Sequence, residues 1–167
     1  MKIVSLLLFL VSSPIWPLGE NPMLGDPFLI VNVAEKKLAF VHEGEVKVVF
    51  PVAIGKGDET PLGTFTIVVK AKEPYYRKKN IPGGDARNPL GSRWLGFDAL
   101  GTDGRTYGIH GTNDPTSIGQ AITSGCIRLL NEQVEWLYEY VPLGTVVHIT
   151  DEKRSFLEIA RAFGAIE

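Results

Sequence analysis

Short apolar runs with a rough two-residue alternation dominate the chain from Pro27 to Lys70, the period of a strand rather than of a helix. "FLIVNV", from Phe28, is rich in β-branched residues. "KLAFVHEGEVKVVFPVAI", from Lys37, holds two such runs around Glu43-Gly44-Glu45 and reads as a hairpin in which Gly44 supplies a positive φ. A turn-rich loop follows, punctuated by Pro61 and Gly63, and then a strand from Thr64 to Lys70. From Glu73 to Asp98 the periodicity fades into a segment dense in Gly, Pro, aromatic and basic residues, the mark of a functional or mobile loop. Its end, "SRWLGFDAL", and the following "RTYGIHG" predict two short strands turning at Asp103-Gly104.

The helical period enters only later. Asp114 to Thr123 predicts a short helix, with Asp114 as cap and Pro115 in the first helical position. Asn131 to Pro142 predicts a longer one, capped by Asn131, with Val134, Leu137, Tyr138 and Val141 on its apolar face. "GTVVHIT" is a final strand. A last amphipathic helix follows, with Phe156, Leu157, Ala160 and Phe163 on its apolar side and Gly164 as its stop. Many short strands, no βαβ alternation and helices gathered near the C-terminus predict a mostly-β sandwich or barrel.

The first residues break this pattern. Lys2 followed by "IVSLLLFLV" reads as a secretory signal or N-terminal anchor over residues 1–22, against the alternative of a buried strand or helix. The run is short for a membrane span, Pro14 and Pro17 interrupt it, and no clean small-residue cleavage site follows. The expected organisation is then a globular domain over 26–150 and a C-terminal helix over 151–167. With 167 residues the chain suits one domain with a core of its own, and a formal net charge of −2 gives no pull toward nucleic acid. A monomer is expected.

One cysteine, Cys126, excludes an intramolecular disulfide. In an exported chain an odd thiol is a partner for intermolecular pairing or a free reactive group; a buried inert Cys is the alternative. His110 lies sixteen positions earlier (126 − 110), at the end of a predicted strand, and an excursion between them can return both to one sheet edge. A thiol of ordinary pKa, about 8.5, is only a few per cent ionised at neutral pH, so a neighbouring imidazole would serve as its base. Gly125 lets a substrate carbonyl approach closely and frees nearby backbone N–H groups to meet a developing oxyanion. Arg128, two positions on, shares the face of Cys126 if the strand is extended and could grip a carboxylate; a surface charge is the equal alternative. His42 and His148 are scattered and make no metal-ligand spacing.

"IHGTNDPTSIGQAITSGCIRL" resembles the signature of the L,D-transpeptidases, the YkuD-type catalytic domain: His110-Gly111, a gap, then Thr123-Ser124-Gly125-Cys126-Ile127-Arg128. "TPLGTFTI" (Thr60 to Ile67) and "NPLGSRWLGF" (Asn88 to Phe97) resemble two further stretches of that family, in the same order. Many members carry a second histidine where Ser124 stands, and some end the motif in Asn rather than Arg128. The resemblance thus points to a branch with one essential base. It implies a β-rich sandwich or barrel cradling the site, in which Cys126 attacks a peptidoglycan stem peptide, His110 is the base, and Gly111 orients His110 through its carbonyl. Arg128, Ser124, Gly125, Thr112 and Asn113 would contact substrate. The thioester would pass to an amine of a second stem, giving a 3→3 cross-link, or to water, giving a carboxypeptidase. The resemblance further implies carbapenem-type β-lactams as inhibitors, no metal or cofactor, and action in the cell envelope. The loop from Pro74 to Leu90, with Tyr75, Tyr76, Arg77, Lys78 and Lys79, is a candidate lid, or else a solvated loop.

Two other readings compete. A sortase-like transpeptidase also uses Cys, His and Arg, but the glycine before Cys126 and the short gap from His110 argue against it. Papain-like wall peptidases place Cys before His, the reverse of this chain. A catalytically silent wall-binding module would leave His110, Cys126 and Arg128 without a purpose.

Overall fold

The computed structural model describes residues 22–167, so most of the predicted leader, residues 1–21, lies outside the described residues. Strand β1 (Phe28–Asn32) sits mid-sheet, flanked by β2 (Lys37–His42) and, in parallel, by β10 (Val146–Thr150). Its continuous apolar run has a direct cause. Leu29 and Val31 face the main core, whereas Phe28 and Ile30 lie under the C-terminal helix α2 (Phe156–Ala162), so every side chain of the strand is buried. The β2–β3 hairpin (β3, Glu45–Pro51) turns at Glu43-Gly44, with φ of 51° and 76°, the left-handed pair that a tight two-residue turn requires.

The remaining strands are β4 (Ile54–Gly55), β5 (Gly63–Lys72), β6 (Arg93–Phe97), β7 (Tyr107–His110), β8 (Ala121–Thr123) and β9 (Ile127–Arg128). The large sheet runs β3-β2-β1-β10-β5-β6-β7-β9, and β4 pairs with β8 beside it. The chain leaving β3 reaches the far end of this sheet, where Ala53 and Arg128 exchange two backbone hydrogen bonds of 2.9 Å each. The sheet therefore curls around one core, and helix α1 (Asn131–Tyr140) fills it with Val134 and Leu137. The mostly-β class with helices near the C-terminus is what the structure has.

Four local expectations are corrected. Asp114 to Thr123 is a single 3-10 turn, Pro115–Ser117, followed by β8; Asp114 does cap it by accepting from Thr116 N, but the backbone turns extended at Ile118 and pairing with β4 claims the rest. Strands β6 and β7 do pair, yet the chain between them runs from Asp98 to Thr106, including a 3-10 turn, rather than turning tightly at Asp103-Gly104. Helix α1 is preceded by Leu130, and the Asn131 side chain does not cap it. On α2, Ile159 and Ala160 are the buried pair while Leu157 is exposed, and Ser155 with Glu158 forms a capping box.

Candidate active site

Strand β7 pairs in parallel with β9, setting Ile109 against Ile127 and His110 against Arg128. The isoleucines point into the core, so His110 and Arg128 share the opposite face. Cys126 immediately precedes β9, one two-residue step from Arg128, and therefore joins that face as a diagonal neighbour of His110.

The approach to Cys126 is constrained. Gly125 has φ 114°, and a Cβ there would lie 2.6 Å from the Glu59 carbonyl oxygen. Thr123 staples the turn: its hydroxyl accepts from Gly125 N at 3.2 Å and donates to the Cys126 carbonyl at 2.6 Å. This staple escaped the sequence reading, because a Thr in a Thr-Ser-Gly-Cys run carries no mark of its partner.

His110 is 4% exposed and stacks on Trp94, with ring centroids 5.5 Å apart and planes 18° off parallel. Trp94 fits because Gly108 has no Cβ, which would stand 2.6 Å from its ring, and its indole N–H donates to the Gly104 carbonyl. The His110 Nδ1 lies 2.6 Å from the Gly111 carbonyl oxygen. A carbonyl only accepts, so Nδ1 carries the proton and Nε2 is bare in the neutral ring. Burial pulls the His110 pKa down to about 4; the Gly111 carbonyl partly opposes this, and the Arg128 charge adds to it. The carbonyl of Leu90 also lies beside the ring and favours its protonated form.

The Cys126 thiol donates to the Thr106 carbonyl at 3.5 Å, and no hydrogen bond joins it to His110. Burial pushes the thiol pKa up, while the Gly108 N–H and the charges of Lys78 and Arg128 draw it back. At rest both groups are thus neutral.

Cys126 opens onto a cleft of about 360 Å³ whose walls include Tyr76, Arg77, Lys78, Leu90, Trp94 and Arg105. The loop from Pro74 to Leu90 thus supplies one wall of this cleft, and it is packed in place. Tyr76 and Ile81 exchange backbone hydrogen bonds, the buried Asn88 side chain donates to the Pro74 and Pro82 carbonyls, and Gly83 sits so close to Glu73 that a Cβ would overlap its carbonyl. Arg128 is half-buried, with its Nε buried and without a hydrogen-bond partner. Ser124 and Asn113 are exposed, Thr112 is buried with its hydroxyl turned to the Asp114 backbone, and none of the three lines the cleft. Among the described residues, no three His, Cys, Asp or Glu side chains cluster to hold a metal ion.

Comparison with known proteins identifies the family and the fold. The profile of the YkuD family, the L,D-transpeptidase catalytic domain, matches residues 26–149. The chain is 56% identical over 154 residues to YqjB of Bacillus subtilis, assigned as an L,D-transpeptidase, covering 92% of this chain and 88% of that one. It is 39% identical over 134 residues to YkuD of the same organism, covering 77% and 71%. Among solved structures, L,D-transpeptidase 3 from Mycobacterium tuberculosis in complex with a faropenem-derived adduct superimposes with a TM-score of 0.59 at 18% identity. That match covers 75% of this chain and 60% of the other, and it is a likeness of fold.

Proposed function

The chain belongs to the family of L,D-transpeptidase catalytic domains, and on that premise we propose that it is a peptidoglycan L,D-transpeptidase whose nucleophile is Cys126 and whose base is His110. The observation that carries the reading is the shared sheet face: a lone thiol at the mouth of a cleft and, diagonal to it, a buried neutral imidazole oriented by the Gly111 carbonyl. As the Cys126 sulfur attacks the carbonyl of the third residue of a donor stem, its proton passes to the bare Nε2 of His110. Collapse of the tetrahedral intermediate breaks the peptide bond and forms a thioester, and the imidazolium gives its proton to the departing D-alanine amine. The side-chain amine of a second stem then attacks the thioester, loses a proton to His110 and frees the thiol, leaving a 3→3 cross-link. Water in place of that amine gives hydrolysis. The bond broken supplies the acyl group for the bond made, so no nucleotide is consumed.

The cleft suits an anionic donor. Arg77, Lys78 and Arg105 line it, and Arg128, whose buried Nε has no hydrogen-bond partner, stands two residues beyond Cys126 without lining the cleft. β-Lactams of the carbapenem class are taken as acylating inhibitors, since their strained carbonyl meets the same sulfur. The apolar run after Lys2 supports action outside the membrane, where the stems are.

Incubation of the protein with tetrapeptide muropeptides, read by mass, tests the function. Cross-linked dimers with loss of D-alanine are expected. Tripeptide products alone would make it a carboxypeptidase, and no product would leave only a binding module. In the same assay Arg128→Ala is expected to raise the donor KM about tenfold or more with a smaller change in kcat. Unchanged kinetics would return Arg128 to a purely structural place.

A further inference from the structure

Asn131 opens helix α1 without capping it, and its amide oxygen is engaged elsewhere. Oδ1 accepts from Thr112 N at 3.0 Å and from Ser92 N at 3.2 Å, so both its lone pairs serve backbone N–H groups of other segments. The Thr112 N–H and the Gly111 carbonyl are two ends of a single peptide plane. At one end the N–H meets Asn131; at the other the carbonyl accepts from His110 Nδ1 at 2.6 Å. A trans peptide is rigid, so fixing its N–H fixes where its carbonyl points. Ser92 belongs to the loop that follows Leu90, whose carbonyl also lies beside the ring. One oxygen therefore ties down both stretches of backbone that face His110.

The glycines around it mark how closely this is built. A Cβ on Gly91 or on Gly111 would each fall 2.1 Å from Asn131 Oδ1, and Gly91 holds φ 64°. Both segments are pressed against the amide at a distance no side chain would permit. A helix-opening residue needs no such approach.

We propose that Asn131 is a positioning residue for the general base: by holding the Gly111–Thr112 peptide plane it keeps the Gly111 carbonyl on His110 Nδ1, so that the ring retains its proton there and presents a bare Nε2 to the thiol. The inference rests on the reading of His110 as base. The chain of hydrogen bonds from Asn131 through the peptide to the imidazole polarises along its length, so loss of its far end loosens the near one.

The test uses the full chain. The ¹⁵N resonances of the His110 ring at neutral pH should show a protonated Nδ1 and a bare Nε2; a wild-type ring protonated on Nε2 overturns the proposal whatever any variant does. Asn131→Ala is expected to slow acylation by faropenem about 100-fold, with half-saturation little changed, and to give a mixed tautomer. Asn131→Asp, which keeps an oxygen at the same reach, should recover most of the rate and the Nδ1–H tautomer. Wild-type rate and tautomer in a folded Asn131→Ala, or an Asp variant as slow as the Ala variant, overturns it. Should Asn131→Ala fail to fold, the wild-type tautomer and the Asp variant still decide. His110→Gln separates the two layers. Undiminished acylation there removes the base itself, whereas slow His110→Gln beside fast Asn131→Ala removes only the role of Asn131.

Discussion

Cys126→Ala is expected to gain no mass on incubation with a carbapenem, while the wild-type protein gains one β-lactam equivalent. The sequence holds no other cysteine, so no second sulfur can take over. The hydroxyl-bearing residues on the cleft wall are Tyr75, Tyr76 and Thr106, and a hydroxyl is a far weaker nucleophile than a thiol unless a base activates it. Cys126 stands at the rim of the cleft rather than in the core, and Ala fits its backbone, so the variant should fold. Intact mass spectrometry reads the result in one step. An adduct of the same mass on Cys126→Ala would place the nucleophile elsewhere.

His110→Ala is expected to lower the acylation rate roughly 10²–10⁴-fold, the range of a lost general base. The size follows from the resting electrostatics. Burial holds the thiol above its ordinary pKa, so little thiolate exists at neutral pH and attack requires a proton acceptor. His110 is ready for that role because its own pKa is drawn down to about 4 from 6.5, leaving it neutral at every working pH. The same shift acts on stability. Between those two values the unfolded chain binds more protons than the folded one, so stability is complete above pH 6.5 and falls toward pH 4, by about 3 kcal/mol in all. His110→Ala also empties a site stacked on Trp94. Stopped-flow acylation should therefore be paired with a thermal melt. A folded variant acylating at the wild-type rate would remove His110 from the mechanism.

Much of this site was legible because its chemistry sits on side chains with few alternatives. A lone Cys after Gly, an upstream His-Gly and an Arg at the same parity as the thiol survive any uncertainty in fold, and parity alone set Arg128 on the face of Cys126. The Glu43-Gly44 hairpin was legible for a similar reason, since its turn chemistry is local. The partnerships that hold the site were not. Asp114 to Thr123 has a good helix start, and only the pairing of Ala121 and Thr123 with Ile54 and Gly55, 67 and 68 residues earlier in the chain (121 − 54 and 123 − 55), makes its second half a strand. Asn131 has the composition of a cap, and only the arrival of Gly91 and Gly111 beside it diverts the amide. Leu157 fits the helical period as well as Ile159 does, but the face of α2 that packs with Phe28 and Ile30 of β1 takes Ile159. Each failure is a local preference overruled by a contact distant in sequence.

Whether a neutral thiol is deprotonated by a buried neutral imidazole as it attacks is read from the pH dependence of wild-type acylation, followed with a carbapenem under conditions where the fold is intact. A rate nearly flat between about pH 5 and 8 is expected, descending on a single acid limb near 4, where His110 takes up its proton. A limb near the ordinary imidazole value of 6.5, or a rate climbing about tenfold with each pH unit through neutrality, as attack by free thiolate alone would require, would contradict it.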